Sequence, residues 1–163
     1  MKYLIISDLH YPERARYNLN HIIPIIQKEN FDKLVCLGDY GEKGYEIIRE
    51  KFKNTICIKG NGDILDLPEF YREKAGSKNI CFIHGHQAGR GDLNILYRIA
   101  RIKGCDILFF GHTHIPLVIQ YNDIILANPG TLTGAKTVSN MFPKGSYLIY
   151  DSKNYSFKIK FVE

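Results

Sequence analysis

Five short runs of almost unbroken apolar character recur along this chain: Lys2–Ser7, Lys33–Leu37, Thr55–Lys59, Asn79–His84 and Asp106–Phe110. A strand with one wet face alternates apolar and polar residues, whereas a strand covered on both faces needs no such alternation. Runs of this kind predict the doubly covered strands of an α/β protein. Amphipathic stretches lie between several of them. Asn20–Asn30 sets Ile22, Ile23 and Ile26 on one side, and Lys43–Phe52 groups Ile47, Ile48 and Phe52. Asp92 is placed to cap a helix that presents Leu93, Leu96 and Ala100, with Ile95 and Ile99 beside them. Pro24 fits the first of these helices only within its first turn, where a missing N–H leaves nothing unpaired. The last third reads as a meander of strands at Leu117–Gln120, Ile124–Ala127, Ser146–Asp151 and Ser156–Val162. Turns such as Tyr121-Asn122-Asp123 and Asn128-Pro129-Gly130 separate them. An alternating β/α half followed by a β-rich half is satisfied by two mixed sheets flanked by helices. No repeat, linker or low-complexity segment interrupts the chain, so one domain over residues 1–163 is expected.

Composition excludes several classes. Hydrophobic residues make up 45% and charged residues 24%, ordinary for a globular protein. No apolar run approaches the roughly 18 residues that span a bilayer, so no membrane association is expected. The opening MKYLIISDLH is basic then apolar, but its apolar part is short and Asp8 interrupts it, which fits a first strand better than a signal peptide. A cytoplasmic location is therefore expected. The formal charge of +5 can steer anions, but the basic residues, among them Arg14, Arg16, Arg90, Arg98, Arg101 and Lys103, form no dense block. Specific nucleic-acid binding is not expected. Cys36, Cys57, Cys81 and Cys105 each sit inside an apolar run with no C-x-x-C spacing, and read as buried free thiols.

The residues just after each buried run carry the chemistry. The first run ends in Asp8-Leu9-His10, the second in Gly38-Asp39, the third in Gly60-Asn61-Gly62-Asp63, the fourth in His84-Gly85-His86 and the fifth in Gly111-His112-Thr113-His114. Five of the six histidines fall in these segments. The carboxyl edge of an open α/β sheet is where ligands bind. Each segment alone is an ordinary turn or surface pair, but their joint placement after five successive strands is not. Carboxylate, amide and imidazole donors without a thiolate suit Mn, Fe, Zn, Ni or Co, and are too histidine-rich for a dedicated Ca or Mg site. Seven candidate ligands drawn from these segments exceed what one ion takes while leaving room for substrate, and two ions sharing Asp39 account for them.

These motifs, in this order, resemble the calcineurin-like metallophosphoesterase family: Asp-x-His, Gly-Asp, Gly-Asn-x-Asp, a His-Gly segment and Gly-His-x-His. The length and the Asn128-Pro129-Gly130-Thr131 turn resemble its small single-domain phosphodiesterase branch. The resemblance implies a four-layer α/β sandwich of two mixed β-sheets flanked by helices. It further implies one divalent metal held by Asp8, His10 and His114, a second held by Asn61, His84 and His112, and Asp39 bridging both. Manganese is the favoured ion, with nickel, iron, zinc or cobalt as alternatives. The implied reaction is hydrolysis of a small-molecule phosphate ester, most simply a diester, by a hydroxide between the ions, with Asp39, Asn61 and His86 as catalytic residues. Asp63 would orient neighbouring groups. In His-Gly-His, His84 is preferred as ligand because it directly ends the strand, and His86 would contact substrate or take its place.

Many relatives carry His after the Asn of the third motif, where it protonates the leaving group; here that position is Gly62. A preference for good leaving groups, or proton donation by His86 or water, is the expected consequence. The segments Asp8–Pro12, Ile83–Gln87 and Asn128–Ala135 also resemble the retromer scaffold subunit of the same fold, which implies a protein-binding module as the alternative to an enzyme. Candidate substrate loops are Tyr11–Tyr17, Asp63–Lys78 and Gln87–Gly91, with Arg14, Arg16 and Arg90 as candidate phosphate contacts. A homodimer is the default assembly.

Overall fold

In β1 (Lys2–Ile6) successive side chains leave opposite faces, so Tyr3 and Ile5 enter one apolar cluster while Leu4 and Ile6 enter another. The same division runs through both sheets of the computed structural model, which describes residues 1–137 and 143–162. The first sheet has the order β10-β9-β1-β2-β3 and the second β4-β5-β6-β8-β7. In the first, β1, β2 (Lys33–Cys36) and β3 (Thr55–Cys57) run parallel, while β9 (Ser146–Asp151) and β10 (Ser156–Phe161) add antiparallel beyond β1. In the second, β5 (Lys78–Ile83), β6 (Ile107–Phe109) and β8 (Ile124–Asn128) run parallel, edged by antiparallel β4 (Phe70–Ala75) and β7 (Leu117–Tyr121).

Three cores result. Tyr3, Ile5, Val35, Leu37, Phe82, Phe109 and Tyr150 fill the space between the sheets. On the outer face of the first sheet, Leu4, Ile6, Leu34 and Cys36 meet Ile22, Ile23 and Ile26 of α1 (Leu19–Gln27) and Ile48 of α2 (Gly41–Lys51). On the outer face of the second, Cys81, Ile83, Leu108 and Leu126 meet Leu96 and Ala100 of α3 (Leu93–Lys103). This is the expected four-layer sandwich. Asp92 caps α3 as its sequence implies, its Oδ1 accepting from the backbone N–H of Asn94 at 2.9 Å and of Ile95 at 3.1 Å. No helix among the described residues is long and apolar enough to cross a membrane.

Four expectations need correction. Pro24 lies in the second turn of α1 rather than the first; it is exposed, and the carbonyl it leaves without an amide belongs to exposed Asn20, which water can serve. The loop expected over Asp63–Lys78 contains β4, an edge strand whose Arg72, Glu73 and Lys74 disguise it and also guard it against further pairing. The C-terminal strands form two hairpins in different sheets rather than one meander. Finally, Cys81 and Cys105 are joined in a disulfide, and only Cys36 and Cys57 are free. The cross-link closes a loop with a sequence separation of 24 that contains α3. Chain entropy in the unfolded state makes such a closure worth about 3 kcal/mol. Reduction with a strong thiol is therefore expected to lower the thermal midpoint by about 6–12 °C, and Cys81→Ala/Cys105→Ala should match the reduced protein in calorimetry.

Candidate metal centre

All five motif segments meet at the carboxyl ends of β1, β2, β3, β5 and β6, and the backbone that brings them there is unusual. Asp8, His10, Asp39, His112 and His114 all have positive φ, between 42° and 67°. Side chains with a Cβ avoid this region at a cost of about 1–2 kcal/mol each. Each such residue turns the chain sharply as its strand ends and throws its side chain back across the sheet edge. The arrangement persists because hydrogen bonds hold it. Asp8 N–H donates to Gly38 O at 3.0 Å, His10 N–H to Asp39 O at 2.9 Å and Gly111 N–H to His84 O at 2.7 Å. Asp8 Oδ2 accepts from His112 N–H at 2.9 Å and so ties one sheet to the other. Two glycines let the loops after β2 and β3 touch. A Cβ on Gly38 would lie 2.4 Å from the Gly60 nitrogen, and one on Gly60 would lie 2.1 Å from Asp39 Oδ1.

Two groups of donors emerge. Asp8, His10 and His114 offer ligand atoms within 4.8 Å of one another, and Asp39, His84 and His112 form a second such group. His114 Nε2 stands 3.4 Å from Asp8 Oδ1, and Asp39 Oδ2 stands 3.4 Å from both His10 Nε2 and His84 Nε2. These separations are long for hydrogen bonds. They match two ligands that each sit about 2.1 Å from a shared ion, which are about 3.0–3.4 Å apart at right to tetrahedral angles. Asp39 Oδ2 thus stands between the groups, while its Oδ1 accepts from Gly62 N–H at 2.8 Å. Asn61 is exposed and lines the cleft with Asp39.

The residues present fit divalent cations. Asp8 Oδ1 and His84 Nε2 are buried, and neither has a hydrogen-bond partner among the described residues. Orphaned buried polar atoms are costly unless something satisfies them. His84 Nδ1 lies 2.8 Å from Leu37 O and His114 Nδ1 lies 3.0 Å from Ala135 O. A carbonyl can only accept, so each Nδ1 carries a proton, which leaves each Nε2 as the atom that would turn its lone pair to a bound cation. Charge tells the same story. Burial pushes Asp39 and Asp8 up, but the neighbouring histidines outweigh it and hold both carboxyls below the usual range. Burial pushes His84 down, but Asp39 and Asp8 lift it to about 9. Burial carries His10 down to about 4 against the pull of Asp8, helped by the Arg14 cation. Burial and the His84 charge lower His112, while Asp8 overcomes burial to raise His114. Metal-free, the site borrows protons to balance two buried carboxylates.

His86 opens a short 3-10 turn, half-buried, its ring 5.7 Å from that of His84 and 6.3 Å from that of His112. It stands beside the donor groups rather than within either. Asp63 accepts from three backbone amides, those of Asp39, Tyr40 and Gly60, at 2.7–2.9 Å. Behind the site, Thr131 Oγ1 donates to Asp8 O at 2.7 Å, Thr133 Oγ1 to Leu9 O at 2.6 Å and Asn128 Nδ2 to Gly111 O at 2.9 Å. The Asn128-Pro129-Gly130-Thr131 segment was legible as a turn, but its buttressing role depends on partners more than 100 residues away in the case of Asp8 and Leu9. In front, a cleft of about 590 Å³ is lined by His10, Arg14, Asp39, Asn61 and Arg90 together with Thr113 and Ile115. Arg16 instead lies over the ring of Tyr17, 5.2 Å from its centroid.

A model of the calcineurin-like phosphoesterase superfamily domain matches residues 1–154. The chain belongs to this family. A probable metallophosphoesterase of Methanocaldococcus jannaschii is 32% identical over 130 residues, 79% of this chain and 67% of that protein. The phosphodiesterase YfcE of Escherichia coli is 26% identical over 156 residues, 82% of this chain and 80% of that protein. Among solved structures, wild-type Vps29 of Entamoeba histolytica complexed with zinc superposes with a TM-score of 0.79 at 27% identity, covering 99% of this chain and 98% of that one. Phosphoesterases of this family use divalent metals, and this member carries two groups of residues able to hold them.

Proposed function

We propose that this phosphoesterase is a dinuclear phosphodiesterase acting on small phosphate esters. The observation that carries this reading is Asp39 Oδ2 at 3.4 Å from His10 Nε2 and from His84 Nε2, one carboxylate oxygen facing both donor groups. Asp8, His10 and His114 would hold one ion, Asn61, His84 and His112 the other, and Asp39 would hold both, with manganese the favoured metal. Two bound divalent ions supply Lewis acidity toward phosphoryl oxygens and an acidified water as nucleophile. The protein's own part is placement. The carbonyls of Leu37 and Ala135 fix the tautomers of His84 and His114, Asp63 holds the Asp39 and Gly60 amides, and the Thr131 buttress keeps Asp8 from swinging away. Likeness to YfcE supports the diester preference.

The test is metal content by mass spectrometry alongside turnover. Two ions per chain in the wild type, falling toward one in His112→Ala and in His114→Ala with activity lost, is the expected result. One ion per chain with full activity would sink the dinuclear reading.

Gly62 sets a further expectation. Its amide serves Asp39, and no side chain reaches out at the position where an imidazole could protonate the leaving group. Across aryl diesters the rate should therefore fall steeply as leaving-group pKa rises. Gly62 lacks the positive φ that would bar a side chain, and a Cβ there would meet Asp39 Oδ1 at 3.2 Å, tight but open to small adjustment. Gly62→His should flatten the dependence. An already flat dependence in the wild type would assign the proton to another donor, His86 or a water.

A second reading, a binding module rather than an enzyme, is favoured by the likeness to Vps29 and by exposed Ile115 on the cleft wall. The complete donor set, with Asp39 and Asn61 both in place, favours the enzyme.

A further inference from the structure

Arg14 is built into the cleft more firmly than an exposed arginine needs to be. Its backbone carbonyl accepts from Lys136 N–H at 3.1 Å, and its own Nε and Nη2 both donate to Lys136 O. Arg14 thereby helps join loop Tyr11–Tyr17 to the segment after the Thr131 buttress, beside the Arg16 and Tyr17 N–H groups, which donate to Thr133 O at 3.1 and 2.9 Å. Arg14 Nη1 is 3.4 Å from His10 Nδ1 and 3.5 Å from His10 Nε2. An in-plane hydrogen bond reaches one ring nitrogen only, so near-equal distances put Nη1 over the face of the imidazole. No carboxylate lies within ion-pair distance of Arg14 among the described residues. The adjacent Glu13 is turned to the amide of Glu42 at 2.7 Å.

We propose that Arg14 is a phosphate clamp, which grips the non-bridging oxygens of the ester beside the His10 donor group through Nη1 and the second N–H of Nη2, the one Lys136 does not take. This rests on the phosphoesterase reading above and adds the residue that recognises the anion. A guanidinium stays charged at any working pH and presents a planar fork that fits two phosphate oxygens. Pinned at one edge, it loses little freedom when it binds. It offsets charge on the reacting phosphoryl group but cannot protonate a leaving group. Arg14 and Gly62 therefore act together: the chain keeps a cation for the anion and has no acid next to Asn61.

Inorganic phosphate is titrated calorimetrically into Mn²⁺-loaded wild type, Arg14→Ala, Arg14→Lys and Arg16→Ala, with metal content and thermal midpoint measured on the same samples. Arg14→Ala is expected to weaken phosphate binding by about tenfold or more. Arg14→Lys should recover part of it, because the charge returns without the fork. Arg16→Ala should stay within about twofold, and metal content should be equal in all four proteins. Unchanged phosphate affinity in Arg14→Ala overturns the clamp, as does weakening explained by lost metal, or a wild type that binds no phosphate. Because phosphate binding needs no turnover, a protein that binds phosphate through Arg14 yet hydrolyses no ester would reject the enzyme and keep the clamp. Unimpaired hydrolysis by Arg14→Ala would do the reverse.

Discussion

Asp39→Asn is expected to reduce metal-dependent hydrolysis by about 10³-fold or more, the scale on which a preorganised group at a reacting centre matters. The substitution keeps shape and hydrogen bonding: an amide oxygen can still accept from Gly62 N–H, the contact now made at 2.8 Å by Oδ1. What disappears is the charge on Oδ2, which stands 3.4 Å from His10 Nε2 and from His84 Nε2. Both ions should be lost or weakened together, so metal content is expected to fall toward zero rather than to one. Far-ultraviolet circular dichroism should be unchanged, since Asp39 sits at a strand end and belongs to none of the three apolar clusters. A second signature belongs to the metal-free protein. His84 is lifted to about 9 against burial by Asp39 and Asp8. Losing one of those carboxylates favours the neutral ring, so His84 should titrate at lower pH in Asp39→Asn, as seen by NMR. Retained hydrolysis in this variant would remove the two-metal mechanism.

Asp63→Ala carries the second large effect, this time on stability as well as rate. One half-buried carboxylate accepts from Asp39 N–H at 2.8 Å, Gly60 N–H at 2.7 Å and Tyr40 N–H at 2.9 Å. Truncation strands all three amides at once. Hydrogen bonds to a charged group are each worth about 1.5–3 kcal/mol, and solvent at this partly open position recovers some of that. A net loss of about 3 kcal/mol is expected, which lowers the thermal midpoint by about 6–12 °C in a chain of this size. Asp39 and the Gly60–Gly62 turn should drift with the released amides, so kcat/KM should fall by about 10²-fold, as for other supports of metal ligands. An unchanged midpoint would show that the loops after β2 and β3 hold their shape without the carboxylate.

Most of the architecture is legible in the sequence, for a simple reason. Strands covered on both faces advertise themselves as apolar runs, and each parallel strand here ends within a residue or two of its run. The four layers followed from that pattern, and so did the meeting of Asp8, His10, Asp39, Asn61, His84, His112 and His114 at one edge. What escaped depended on partners distant in sequence or on conformation. β4 reads as a loop because Arg72, Glu73 and Lys74 of an edge strand look like solvent-facing residues. The Cys81–Cys105 cross-link was hidden because each cysteine sits in a separate apolar stretch, and nothing local shows that β5 and the entry to β6 bring them together under α3. Positive φ at five of the candidate ligands is invisible in residue type, since aspartate and histidine tolerate that region without requiring it. The Asp8–His112 link between the sheets, and the reciprocal clasp of Arg14 with Lys136, join positions 104 and 122 residues apart. Composition could not reveal either.

The most direct measurement is hydrolysis of bis-p-nitrophenyl phosphate by chelator-stripped protein with Mn²⁺, Ni²⁺, Zn²⁺ or Mg²⁺ restored in turn. Turnover that is absent without metal, returns with a transition metal and vanishes in Asp39→Asn is the predicted result. Metal bound at the site with no turnover under any ion would contradict the phosphodiesterase and leave a binding module on the same fold.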